Sequence, residues 1–150
     1  PTRPVNDYVN EEFDYVLNTI VFYTEYWVTK IVATGCHLVM HGYSYCDPRT
    51  ASDGGWLIGG PLSRERNIND RTIWRTAIAQ MVDRFNERVI EIANKPKFAG
   101  RFHFLDVRKD LGSGPEWWED EVHPTKKGFD ALGKRFKKAL DDIAAGRATS

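Results

Sequence analysis

The sequence predicts an α/β fold, part of a parallel sheet with helices on both faces, and three observations predict it. Long stretches with apolar residues at helical spacing alternate with two short apolar runs bounded by glycine or charge, in the order helix, strand, helix, strand, helix. Each strand is separated from the next by a helix-length crossover, which parallel pairing requires. The 150 residues, 41% hydrophobic and 13% aromatic, suffice for one ordinary folded domain.

Residues 1–10 read as an irregular lead-in containing Pro1 and Pro4. From Glu11 to Val32, Phe13, Val16, Leu17, Ile20, Val21, Trp27, Val28, Ile31 and Val32 recur at helical spacing and predict a long amphipathic helix that Gly35 ends. Cys36–His41 is short and mostly apolar, a buried strand. Residues 42–69 read as one long loop, a length usually kept for function. Asn69 or Asp70 caps a second helix whose stripe runs from Ile73 and Trp74 through Val89 and Ile92, closed by Lys95-Pro96. Phe102–Val107 is the second strand, and a Gly-rich turn, Leu111–Pro115, follows it. Thr125 caps the last helix, with Phe129, Leu132, Phe136, Leu140 and Ile143 expected inward and the tail after Ala145 frayed. Two strands make a poor sheet, so the chain reads as a single segment, 1–150, that pairs with strands from elsewhere or forms the second half of a larger domain.

Lysine plus arginine balance aspartate plus glutamate, 21 against 21, which leaves no net field for nucleic acid or an anionic membrane. No apolar run of about 18 residues is present, so no transmembrane helix is expected. No signal-peptide pattern appears and the chain begins at Pro1, which leaves localisation open. Cys36 and Cys46 read as buried free thiols, with a bridge across the intervening loop as the alternative. His37 and His41 read as strand histidines rather than zinc ligands, His103 as structural, and Asp106 as a strand-end cap or ion-pair partner. No metal or cofactor is called for.

The chemistry concentrates in Trp117-Trp118-Glu119-Asp120-Glu121-Val122-His123-Pro124-Thr125. An aspartate three residues before a histidine, where a loop enters a helix, can orient an imidazole that acts as general base. In an open α/β sheet ligands bind at the carboxyl ends of the strands, where this segment and His41-Gly42-Tyr43-Ser44-Tyr45 both fall.

Asp120-Glu121-Val122-His123-Pro124-Thr125, continuing as Lys126-Lys127-Gly128-Phe129, resembles the last block of the SGNH (GDSL-type) hydrolases, a D-x-x-H pair running on as H-P-T-x-x-G-[FY] before the C-terminal helix. Leu38–Tyr43 resembles the strand and turn before it. The likeness covers the C-terminal half of that family's domain. It implies a flavodoxin-like architecture lacking its N-terminal strands, and ester or thioester hydrolysis through an acyl-enzyme. His123 would be the general base and Asp120 its orienting acid. Tyr43, Trp117 and Trp118 are expected either as packing aromatics or as the lining of an acyl pocket.

The family's nucleophile lies in a G-D-S block, and its oxyanion hole adds a Gly and an Asn from two further blocks. None of these is present, and Asn67-Ile68-Asn69-Asp70 lacks the glycine of the G-x-N-D block. Of Ser44, Ser52, Ser63 and Ser113, only Ser44 lies at a strand's carboxyl end. The expected partners are therefore an ester substrate and an upstream segment or companion chain carrying the serine. The competing expectations are a non-catalytic module binding a carbohydrate or acyl chain, and, more weakly, a metal hydrolase using Asp120 and His123 as ligands.

Overall fold

A computed structural model describes residues 8–147; most of the lead-in expected at 1–10 and the last three residues of the tail lie outside them. The order is α1 (Glu11–Ala33), β1 (Leu38–His41), α2 (Gly59–Arg66), α3 (Arg71–Ala93), β2 (Phe102–Leu105) and α4 (Lys126–Ala144), with 3₁₀ turns at Ala51–Asp53 and Pro96–Phe98. β1 and β2 pair in parallel, Leu38 opposite Phe102 and His41 opposite Leu105.

Local chemistry sets the helix ends. Asn10 accepts from the Phe13 amide at 3.2 Å to start α1, Asp70 from Thr72 at 2.7 Å to start α3, and Thr125 Oγ1 from Gly128 at 3.4 Å to start α4. Gly35, at φ 84°, takes the left-handed conformation that closes α1. The loop expected over 42–69 is broken by the 3₁₀ turn and by α2. That helix is short and opens Gly59-Gly60-Pro61, so its sequence carries no apolar stripe to announce it.

Alternation along the strands builds the two faces. Leu38, Met40, Phe102 and Phe104 pack with Leu17, Val21 and Val28 of α1 and with Val89 and Ile92 of α3. On the other face Val39, Leu105 and Val107 meet Leu132, Phe136 and Ala139 of α4. The layers are thus α1 and α3, the two-stranded sheet, and α4. Ion pairs Arg84–Asp14 at 2.9 Å and Lys95–Glu25 at 2.7 Å tie α3 and its following loop to α1.

A sheet this narrow cannot cover every apolar stripe. Val16, Ile20 and Trp27 of α1 stay exposed, and so do Phe129 and Leu140 of α4, both expected inward. Both cysteines are free, and Cys36 is exposed because it precedes the strand, in the open turn after Gly35, rather than lying within it. His103 is buried and its Nε2 meets His37 Nδ1 at 3.0 Å; Asp106 ends its strand in an ion pair with Arg108 at 2.6 Å.

Two glycines on these elements have opposite roles. Gly42 ends β1 where a Cβ would lie 1.8 Å from Oδ1 of Asn86, a fully buried side chain held through Nδ2 on the Val82 carbonyl. Gly42→Ala should therefore destabilise the protein by about 2–3 kcal/mol in chemical denaturation, the cost of overpacking. Gly133 is exposed in α4 with nothing within 4 Å of its would-be Cβ. Gly133→Ala should stabilise by about 0.5–1 kcal/mol, read as a Tm raised by a few degrees.

Candidate active site

The segment after β2 folds back on itself before α4 begins. Trp118 and Pro124 form an isolated antiparallel bridge, the Glu119 amide donates to the His123 carbonyl at 2.8 Å, and the Thr125 amide donates to Trp117 at 2.9 Å. Asp120 and His123 sit at the tip of this closed turn. One Asp120 oxygen accepts from the Val122 and His123 amides at 2.8 and 2.7 Å, an arrangement available only to a short acidic or amide side chain. The other lies 2.7 Å from His123 Nδ1.

Electrostatics and exposure then differ between the partners. Partial burial would push the Asp120 carboxyl up, but the His123 imidazole and the two amides outweigh it and hold the carboxyl far below the usual range. Asp120 is therefore ionised at neutral pH and accepts the Nδ1 proton, which leaves Nε2 as the basic nitrogen. The His123 side chain is 62% exposed, and Nε2 has no hydrogen-bond partner among the described residues.

Glu121, between the two, carried no special expectation. It is fully buried, and its carboxylate accepts five backbone amides. Oε1 takes Arg49 at 3.0 Å and Gly59 at 2.8 Å; Oε2 takes Trp56, Leu57 and Ile58 at 2.8, 2.6 and 3.0 Å. Burial alone would raise its pKa, but these amides overcome it and hold the carboxyl below the ordinary glutamate value. The Arg49 guanidinium adds bonds to the carbonyls of Glu119 and Trp118. Gly55 and Gly59 let the chain fold this tightly, since a Cβ on either would come within 2.0 Å of the Arg49 carbonyl oxygen. The loop after β1 and the acid–histidine turn thus form one unit.

Beside the turn lies a cavity of about 300 Å3. Tyr43 and Ser44 line it from the end of β1, Trp118, Val122 and Pro124 from the turn, and Phe129 and Phe136 from α4. Its lining is overwhelmingly apolar; the Ser44 hydroxyl donates to the Val107 carbonyl and Trp118 Nε1 to Gly112 at 2.8 Å, while the Tyr43 and His41 rings add the remaining polar groups. Of the three aromatics singled out from sequence, Tyr43 and Trp118 reach this cavity. Trp117 does not; its ring stacks under the Lys127 ammonium at 3.9 Å, facing the outer side of α4. Ser44 is 4% exposed with its proton on a backbone carbonyl, and no serine hydroxyl among the described residues hydrogen-bonds His123.

A polar cleft at the same sheet edge is lined by Tyr45, Asp106, Arg108, Lys109 and Asp110. Arg108 is pinned by Asp106 at 2.6 Å and Asp83 at 2.8 Å, and Asp83 also accepts from the Tyr45 hydroxyl at 2.8 Å. Arg108 is thus spent on these carboxylates, and Asp110 pairs with Arg135 of α4 at 3.0 Å. Among the described residues no group of three or more His, Cys, Asp or Glu side chains is placed to hold a metal ion, and no helix is long and apolar enough to cross a membrane.

No protein-family model, curated protein or solved structure matches this chain.

Proposed function

We propose that this chain supplies the acid–base half of a serine ester hydrolase of the SGNH type, on the C-terminal half of a flavodoxin-like domain. The observation that carries the reading is the 2.7 Å contact from Asp120 to Nδ1 of an exposed His123 imidazole, whose chain neighbours Val122 and Pro124, though not the pair itself, line an apolar cavity. In the mechanism Nε2 takes the proton of a serine hydroxyl as its oxygen attacks the ester carbonyl, then returns that proton to the departing alkoxide. Water repeats the cycle on the acyl-enzyme. Asp120 steadies the imidazolium formed in between, and Tyr43 and Trp118 flank the acyl group. The serine and the oxyanion donors come from an upstream segment or companion chain.

The occupied hydroxyl of Ser44 favours a second reading, a non-catalytic module whose cavity holds an acyl chain or carbohydrate. Turnover of p-nitrophenyl esters by the native assembled protein separates the two. The hydrolase reading expects turnover that a serine-directed organophosphonate abolishes and a chelator leaves intact. Saturable ester binding with no turnover would replace it with the module.

A further inference from the structure

We propose that His37 and His103 form a latch that fastens the start of β1 to β2 at neutral pH and lets go in mild acid. The latch is independent of the hydrolase reading, because it sits at the amino ends of the strands, whereas the Asp120–His123 turn follows their carboxyl ends. His37 Nδ1 and His103 Nε2 lie 3.0 Å apart, with ring centroids at 5.3 Å and planes 20° from parallel. Two ring radii and one hydrogen bond account for that centroid separation, so the imidazoles meet end to end rather than face to face. One nitrogen of such a pair must donate and the other accept. His103 also bonds the Gly100 backbone in a way that favours its charged ring, which makes that bond a donation to the carbonyl. Because Nε2 faces His37, the donor to Gly100 is Nδ1, and Nε2 is left to accept the His37 Nδ1 proton.

These tautomers decide what an added proton does. A proton taken up at His37 Nε2 leaves the bond in place, since Nδ1 still donates. A proton taken up at His103 Nε2 sets one N–H against another and drives the rings apart. The surroundings fix when that happens. His103 is 8% exposed, opposite Val39 on the face of the sheet turned to α4, whereas His37 is exposed in the turn after α1. Burial, and then the neighbouring imidazole, hold His103 below the ordinary histidine value, against the pull of the Gly100 carbonyl. Arg147, beyond the end of α4, lines the same cleft as both rings and adds positive charge; the Asp142 carboxylate is engaged by Lys138 and by Arg147 itself. On the strand side the Arg101 guanidinium donates to the Gly35 carbonyl, and the exposed Cys36 thiol precedes His37. The sign follows from the depressed value: the unfolded chain binds this proton more readily, so the latch stabilises fully above about pH 6.5 and fails as pH falls through the folded value. What it releases is local. The turn from Gly35 to Leu38 is otherwise tied to the start of β2 by the Arg101 side chain and by the Leu38 amide on the Arg101 carbonyl at 2.8 Å.

Hydrogen exchange resolved by NMR from about pH 8 to about pH 5, corrected for the intrinsic rate and recorded beside the imidazole nitrogen signals, tests this. The protection factor of the Leu38 amide should drop roughly tenfold in the same step in which His103 takes its proton. His37→Ala should show the low protection already at neutral pH, with no step. His103→Gln keeps an acceptor within reach of the His37 Nδ1 proton but does not titrate, so its protection should stay high throughout. Circular dichroism confirms that each variant keeps its helix content. Leu38 protection that stays level across the range in the wild type would overturn the proposal. So would a step that survives in either variant, which would assign the titration to His41 or His123.

Discussion

Replacing His123 with alanine should lower ester turnover by the assembled protein at least about 10⁴-fold, some 5.5 kcal/mol of transition-state stabilisation. The melting temperature should stay within about 2 °C. Both expectations follow from one geometry. In the proposed mechanism the imidazole takes the proton of an incoming hydroxyl, yet it is 62% exposed and contributes a single side-chain hydrogen bond among the described residues. Asp120→Asn should cost less, roughly 10²–10⁴-fold, because an amide still accepts the Val122 and His123 amides but no longer stabilises an imidazolium. The loss should appear in kcat and kcat/KM alike, since neither side chain is asked to bind ground-state ester. A His123→Ala protein that turned over normally would remove the histidine from the mechanism.

Glu121 should show the converse, a large effect on stability that reaches activity only through position. Alanine there strands five backbone donors. Each buried donor left unmade costs about 1–3 kcal/mol, and water can reach the outer ones, so the whole comes to about 3–5 kcal/mol. For a domain stable by only about 5–15 kcal/mol this brings the chain near unfolding, a Tm lower by roughly 10–20 °C. Glutamine should recover part of it, keeping one acceptor oxygen while turning donor against donor at the other.

The carboxyl also makes a pH prediction with a definite sign. Its folded pKa lies below the unfolded value of about 4.3, so the unfolded chain binds the proton more readily. The stabilisation is complete above that value and is lost as pH falls through the folded pKa. Denaturation midpoints measured from pH 6 down to pH 3 should fall for the wild type and fall less steeply for Glu121→Gln. Equal slopes would mean that the amides do not hold the charge.

What the sequence made legible was whatever a local pattern determines. The α/β order, the parallel pairing implied by helical crossovers, and the caps at Asp70 and Thr125 all depend on neighbours within a few residues. So does the Asp120–His123 contact, because a three-residue spacing inside a tight turn leaves the two side chains little choice. Glu121 was opaque for the opposite reason. The last residue of an acid-rich Glu-Asp-Glu run reads as solvated, and its partners are amides 62 to 72 residues away that announce nothing in their own sequence. The bare Gly54-Gly55 and Gly59-Gly60 pairs were the available hint, since successive unencumbered amides need an acceptor. The inward settings of Phe129 and Leu140 failed because periodicity reports which face is apolar, not whether anything covers it. Trp117 and Trp118 show the limit of adjacency: neighbours in a turn point to opposite sides, so one enters the cavity and the other meets Lys127.

The account depends most on His123 activating a hydroxyl from outside these residues, and the rate of covalent labelling by a fluorophosphonate tests it most directly. With the native assembled protein, the adduct should map to a serine beyond residues 1–150, and His123→Ala should slow its formation about a thousandfold or more. Labelling at an unchanged rate in the variant, or an adduct on Ser44, Ser52, Ser63 or Ser113, would contradict it.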